Sequence, residues 1–93
     1  MPKIYVVQNK DSFTATLSNT DCVTEYGFVY GKESQVTLET SGRRRVVFTK
    51  TTFDHTFSFD VSGITGDYTI RGYVVYKDKN GKEMTVYSDQ VAF

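Results

Sequence analysis

Four short stretches of this 93-residue sequence carry side chains that could do chemistry. The first two are its one histidine, His55, and its one cysteine, Cys22. A metal site needs several such ligands, and a catalytic histidine or cysteine needs a base or an orienting partner. With no second histidine or cysteine available, we expect His55 to be an exposed loop residue and Cys22 a buried or half-buried thiol. The sequence therefore predicts no catalytic residue, no metal ligand and no cofactor.

The third stretch, Asp78-Lys79-Asn80-Gly81, begins like a calcium-binding loop, in which oxygen ligands recur at every second position. The later ligands are missing, and Glu83 comes too early to be the closing bidentate glutamate. Asn-Gly between two strand-like runs is the strongest short-range signal for a β-hairpin, with positive φ at the turn. We therefore interpret this stretch as a hairpin turn.

The fourth stretch, Arg43-Arg44-Arg45, has two interpretations. Its guanidinium groups could bind an acidic glycan or a phosphate, or they could lie on an edge strand and block its pairing with another chain. The second interpretation is favoured, although the sequence leaves open whether the stretch is an edge strand or an irregular crossover. Over the whole chain 11 basic and 11 acidic residues cancel, which predicts no nucleic-acid partner. No apolar run is long enough to insert into a membrane.

The elements that must position these residues are strands, because apolar residues alternate with polar ones and never recur at helical spacing over two turns. Seven or eight such runs, separated by turn residues, predict an all-β sandwich of seven or eight antiparallel strands in a single domain, residues 1–93. We expect strands at 4–8, 13–18, 24–31, 35–40, 56–62, 68–77 and 83–93, with the short polar strand 35–40 at an edge.

The central strand is the long β-branched and aromatic run 68–77. Its apolar face is predicted to pack in one core, made of Phe13, Leu17, Phe28, Phe57, Phe59, Tyr68, Ile70 and Val74. Its other face is expected to be partly wet, with Arg71, Tyr73 and Val75 projecting outward beside Val29 of the third strand. An aromatic ring and a guanidinium on a flat sheet could bind a sugar or a partner protein. The structural alternative, which is favoured, is that Tyr73 shields Gly27 across the strands.

These strands carry a family resemblance. Ile64 followed by Tyr-Thr-Ile-Arg-Gly-Tyr at 68–73 resembles the segment of fibronectin type III-like modules that reads leucine, turn, tyrosine, x, valine, arginine, small, tyrosine. Residues 24–31 resemble their third strand and residues 86–93 their last, so that the resemblance spans 11–93. It is closest to modules strung along large cell-surface or secreted proteins of bacteria. It implies an immunoglobulin-like sandwich in which Tyr68 is the tyrosine-corner residue, although the spacing from Ile64 is tighter than usual and the family's proline is absent.

The resemblance implies a non-catalytic spacer or interaction module, excised from a larger extracellular or cell-surface protein whose signal peptide is not in this sequence. Its expected partners are neighbouring modules, and it is expected to be a monomer in isolation. Two alternatives stay open: a weak carbohydrate- or protein-binding module that uses the face around Arg71 and Tyr73, and an accessory sandwich of a phage or secretion apparatus. An enzyme is not expected, because no acid–base pair, nucleophile or phosphate loop stands out.

Overall fold

A computed structural model describes residues 1–48 and 55–93, and over these residues the protein is all-β. Eight strands form two antiparallel sheets: β1 (Lys3–Asn9), β2 (Ser12–Ser18), β3 (Val23–Gly31), β4 (Arg44–Phe48), β5 (Thr56–Asp60), β6 (Thr69–Lys77), β7 (Glu83–Tyr87) and β8 (Val91–Ala92). One sheet has the order β1-β2-β5, and the other has the order β4-β3-β6-β7, with β8 also paired to β6. The predicted β-sandwich is confirmed.

The core lies between the two sheets, as the alternation of the strands requires. Phe13 and Phe59 are cross-strand partners in one sheet, and Phe28 lies opposite Gly72 in the other. Phe28 is fully buried, and its ring centroid lies 5.1 Å from that of Phe57 on the facing sheet. All eight residues that the sequence placed in the core are part of it, with Phe59 and Tyr68 only partly buried.

The second sheet is built around β6, as expected from its β-branched and aromatic run. It pairs with β3 from Gly31↔Thr69 to Val23↔Tyr76, with one irregularity between Val23 and Glu25. Gly27 faces Tyr73 in this register and Val47 on the other side. A Cβ at Gly27 would lie 1.9 Å from the backbone oxygen of Val46, so only glycine allows β4 to approach this closely.

Two boundaries differ from the sequence prediction. Residues 35–40 do not form an edge strand, because Thr37 and Thr40 turn the chain there: the Thr40 hydroxyl accepts a hydrogen bond from the Thr37 amide at 2.8 Å, and the Thr37 hydroxyl accepts one from the Glu39 amide at 3.2 Å. Such side-chain bonds compete with sheet pairing. The last predicted strand is divided into β7 and β8, because the Ser88 hydroxyl replaces a backbone partner and accepts a hydrogen bond from the Gly72 amide at 2.8 Å.

The arginine stretch is decided in favour of an edge strand, since β4 is the outermost strand of its sheet. Residues 49–54, the polar segment after β4 that the sequence indicates is a loop, lie outside the described part of the chain. No described helix is long and apolar enough to cross a membrane.

Candidate functional site

The four residues of the predicted binding surface are neighbours on one sheet face. Val29 is the cross-strand partner of Arg71, and Glu25 is the partner of Val75, two residues along β6 from Tyr73. Their side chains lie on the face of the β4-β3-β6-β7 sheet that points away from the core, as the alternation predicted. We call this the outer face. It also carries Arg45 of β4, opposite Val29.

The outer face is largely covered, and the prediction that it is partly wet holds for the half-buried Arg71 but is wrong for Tyr73, Val75 and Val29. Val29 and Tyr73 are 0% exposed, and Val75 is 5% exposed. The connection between β3 and β4 folds across them, and its Val36, also 0% exposed, forms a second small core with these three residues. A connection of this kind is not visible in strand alternation, because alternation defines the two faces of a strand without saying what covers each.

Arg71 fastens this cover to the sheet. Its Nε and Nη2 donate hydrogen bonds to the Ser88 carbonyl at 3.1 and 2.9 Å, and Nη1 lies 3.5 Å from the Val36 carbonyl. The guanidinium carbon lies 4.8 Å from the ring centroid of Tyr87, whose hydroxyl accepts a hydrogen bond from the Leu38 amide at 3.0 Å. The planar fork of donors that could have bound a carboxylate therefore holds two backbone segments of the protein itself.

Tyr73 is engaged as fully as Arg71. Its hydroxyl donates to Glu25 Oε2 at 2.7 Å and accepts from Arg45 Nε at 3.2 Å. Arg45 Nη2 forms an ion pair with the same Glu25 oxygen. These three side chains, one from each of β3, β4 and β6, form what we call the Glu25–Arg45–Tyr73 cluster.

The electrostatics of the cluster follow from burial and charge. Burial raises the pKa of Tyr73 to about 12, with the hydrogen bond from Arg45 working in the opposite direction. Burial also acts to raise the pKa of Glu25, but the hydrogen bonds from Arg45 and Tyr73 outweigh it and leave that pKa below its ordinary value. The hydrogen bond to Glu25 raises the pKa of Arg45. A neutral phenol, a carboxylate and a guanidinium thus satisfy one another, and the cluster binds the edge strand β4 to its neighbours.

The three arginines at 43–45 lie in different environments, because successive side chains of a strand point to opposite faces. Arg45 belongs to the cluster, whereas Arg44 has the opposite parity and is exposed. Arg43 precedes β4, and its Nε is buried without a hydrogen-bond partner in the described residues. Sequence reasoning did not single out Glu25, which is the partner that engages Arg45. The sequence does mark Glu25 in one way: it is the one charged residue in the run 24–31.

The remaining candidates behave as follows. His55 is exposed, as expected, with positive φ immediately before β5. Cys22 is exposed, which corrects the expected buried or half-buried thiol: it lies in the turn before β3, outside the alternation that buries one face of a strand. Tyr68 is not a tyrosine corner, because its hydroxyl makes no hydrogen bond within the described residues. After the shortened turn, its ring stacks on Phe93 at a centroid distance of 5.7 Å.

The Asp78 stretch forms a hairpin turn. Asp78 Oδ1 accepts hydrogen bonds from the Asn80 and Lys82 amides at 2.8 and 2.9 Å, and Gly81 alone of these residues has positive φ. The predicted hairpin turn with positive φ is therefore confirmed, and it is closed by a glycine bulge at Gly81. In the described part of the chain, no group of three or more His, Cys, Asp or Glu residues is placed to hold a metal ion.

Comparisons of the chain with protein-family models, with curated proteins and with solved structures give no match.

Proposed function

We propose that this protein is a non-catalytic spacer module of a bacterial cell-surface or secreted protein, with a fibronectin type III-like fold. The resemblance in the sequence suggests the family, and the arrangement of the strands supports it. In immunoglobulin-like sandwiches the first, second and fifth strands share one sheet, and the third, sixth and seventh share the other. The same division holds here, with β4 beside β3.

The observation that carries the spacer role is the position of the two chain ends. Met1 lies at the end of the sandwich where β6 finishes: its carbonyl accepts a hydrogen bond from Asn19, and it lines a groove with Cys22 and Lys77. Phe93 lies where β6 begins, paired through its backbone with Tyr68 at 2.8 and 2.9 Å. The nine residues of β6 separate these ends by about 27 Å, at the usual rise per residue. Modules joined through such ends would extend in a line.

A second observation supports a structural role. The side chains that looked most able to bind or react, Arg71 and Tyr73, are used to fasten chain segments to one another. Reactive or binding groups at a functional site are usually left accessible to a ligand. Here the burial of Tyr73 removes it from solvent altogether.

Small-angle scattering of two copies joined in tandem by a short linker tests the proposal. The single module measures 41 Å along its longest axis, so the tandem is expected to reach roughly twice that length, as two domains placed end to end. A tandem that folds back to nearly the length of one module would contradict the spacer role. The matched control is the unlinked module at the same concentration, which must remain a monomer.

A further inference from the structure

One end of the sandwich has a groove with unpaired positive charge. It lies where β3 ends and β4 begins and has a volume of about 270 Å³, with Lys32, Glu33, Ser41, Gly42, Arg44 and Tyr68 around it. A second depression of about 440 Å³ continues from it and shares Lys32, Glu33 and Tyr68. We call the first depression the Lys32 groove.

The cations of this groove differ from Arg45 in having no acidic partner. In residues 1–48 and 55–93 the one ion pair is Arg45 with Glu25, so Lys32 and Arg44 are both free to bind an anion. Arg43, between Gly42 and Arg44, has a buried Nε with no acceptor. A buried donor without an acceptor is costly and uncommon in a folded protein. Lys32 and Arg44 therefore line the groove without an ion pair in the described part of the chain, although the acidic residues Glu33 and Asp67 also line the two depressions.

The other walls of the groove suit a sugar. Ser41 offers a hydroxyl, and Gly42, with φ of 78°, has no atom within 4 Å of the place where a side chain would stand, so its backbone is open to a ligand. Tyr68 is half-buried and its ring lies 5.5 Å from Lys32 Nζ. Because this ring also stacks on Phe93, its part in the groove is to position the Lys32 ammonium group through a cation–π contact.

Glu33 narrows the class of ligand. The carboxylate of Glu33 in the wall repels a densely charged polyanion. It also accepts hydrogen bonds from hydroxyl groups. A ligand with one acidic group and several hydroxyls satisfies both the cations and Glu33. The volume is slightly below the roughly 300–1,000 Å³ of ordinary ligand pockets, which limits the occupant of the groove to about one sugar unit.

We propose that the Lys32 groove binds an acidic sugar, whose carboxylate or sulfate is held by Lys32 and Arg44 and whose hydroxyl groups bond to Ser41 and Glu33. This site goes beyond the spacer role and does not depend on it. It lies at the end of the sandwich, away from the Glu25–Arg45–Tyr73 cluster, so that a ligand would contact the module without disturbing its fold.

Two-dimensional NMR titration of the isotope-labelled chain tests the site at low ionic strength. The probes are an oligogalacturonate, a sulfated oligoglucan, the neutral oligoglucan of the same length and a glutamate-rich peptide. We expect amide shifts at Lys32, Ser41, Gly42 and Arg44 with one or both acidic sugars, weakened by added salt because exposed charges are screened. The carboxylated and sulfated probes distinguish the two kinds of acidic group.

The K32Q/R44Q variant should lower the affinity for the acidic sugar by about tenfold or more, because charge-assisted hydrogen bonds are the strong ones. The matched control is K79Q/K82Q, which removes the same charge from the hairpin at the opposite end and should leave binding unchanged. Shift mapping on the unaltered chain keeps the test valid even if a variant unfolds. Absence of shifts with both acidic sugars, equal shifts with the neutral oligoglucan or the peptide, or loss of binding only in K79Q/K82Q would each overturn the proposal.

Discussion

At the scale of single residues, the outer face shows how polar side chains are used in this protein. Tyr73 is fully buried, yet its hydroxyl both donates and accepts a hydrogen bond, because Glu25 and Arg45 reach it from the two neighbouring strands. An unpaired buried hydroxyl would be costly, and a lone Glu25–Arg45 pair at the surface would contribute little. Together the three side chains hold the edge strand β4 against the rest of its sheet, which none of them does alone.

The Tyr73→Phe variant tests this cluster through its pH dependence. At pH 7 we expect a loss of ~1.5–3 kcal/mol in the free energy of unfolding, the usual contribution of a hydrogen bond to a charged group. The folded protein keeps the phenolic proton up to a pKa of about 12, whereas an ordinary tyrosine loses it near 10.0. Between these values the unfolded chain holds fewer protons, so raising the pH destabilises the native protein.

The advantage of the wild type over Tyr73→Phe is therefore fully present below pH 10 and shrinks as the pH rises toward 12. The change is on the order of 2–3 kcal/mol, from about 1.4 kcal/mol per pKa unit. Urea denaturation at a series of pH values between 7 and 11.5 measures it. A difference between the two proteins that stays constant over this range would show that the hydroxyl is not held as described.

At the scale of elements, two features position everything else: the close approach of β4 to Gly27 and the cover formed by the β3–β4 connection. Both depend on β3, which carries Gly27 for the first and Val29 for the second. The cover has no regular structure over residues 32–43, so its hold on the sheet comes from a few side chains, chiefly Arg71, Tyr87 and Gln90.

Gly27→Ala should displace β4. The added methyl would lie 1.9 Å from the Val46 carbonyl oxygen, which is backbone and cannot rotate away. We expect a loss of at least ~2 kcal/mol in unfolding free energy, in the upper range for added bulk in a packed site. The matched control is Gly63→Ala, where no atom lies within 4 Å and the change should stay within ~0.5 kcal/mol. Equal thermal shifts for the two variants would contradict the close approach.

Arg71→Ala should loosen the cover without removing a strand. The amides of Val36 and Leu38 donate hydrogen bonds to Gln90 and Tyr87, respectively. Arg71 contacts the Val36 carbonyl and the Tyr87 ring, and so helps to hold both hydrogen bonds in place. Their hydrogen exchange should quicken by about tenfold or more, as expected for a weakened local unit. Lys77→Ala, at the exposed end of the same strand, is the control and should leave these two amides protected. Unchanged exchange at Val36 and Leu38 in Arg71→Ala would mean that the cover is held by other contacts.

Strand by strand, the sequence was most informative where one face of a strand is buried and the other is not. The alternation in β2 and β5 and the uniform run of β6 predicted their faces and the core between the sheets. The prediction of a strand at 35–40 is wrong because Val36 and Leu38 alternate with polar residues in order to pack on a sheet and not to pair within it. The same long-range contact hid the burial of Tyr73, since no local pattern in β6 records that the β3–β4 connection returns across it.

At the scale of the whole molecule, the protein is a β-sandwich of two sheets, with Met1 and Phe93 at opposite ends and the Lys32 groove beside Phe93. Its outer face is a second, small core, so that the sheet around β6 is buried on both sides in its central part. A central strand covered on both faces explains why β6 is nearly continuous in apolar and aromatic residues.

The whole molecule is expected to fold without metal. The carboxylate of Asp78, the nearest resemblance to a calcium ligand, already accepts two backbone hydrogen bonds within its own turn. Thermal melts with excess EDTA and with added calcium should therefore superimpose. A rise of several degrees in the midpoint on adding calcium would contradict this, and Asp78→Ala would then show whether the hairpin turn is the site.

The structural role of the outer face is tested most directly by the free energy of unfolding of Tyr73→Ala, measured by urea denaturation beside Tyr5→Ala. Tyr5 is 61% exposed on β1, whereas Tyr73 is 0% exposed beneath the β3–β4 connection. We predict a loss of ~3–5 kcal/mol for Tyr73→Ala, the range for removing a large buried aromatic side chain, and a loss within ~0.5 kcal/mol for Tyr5→Ala. Similar small losses for both variants would mean that Tyr73 stands on an open surface, and the structural role assigned to the outer face would be wrong.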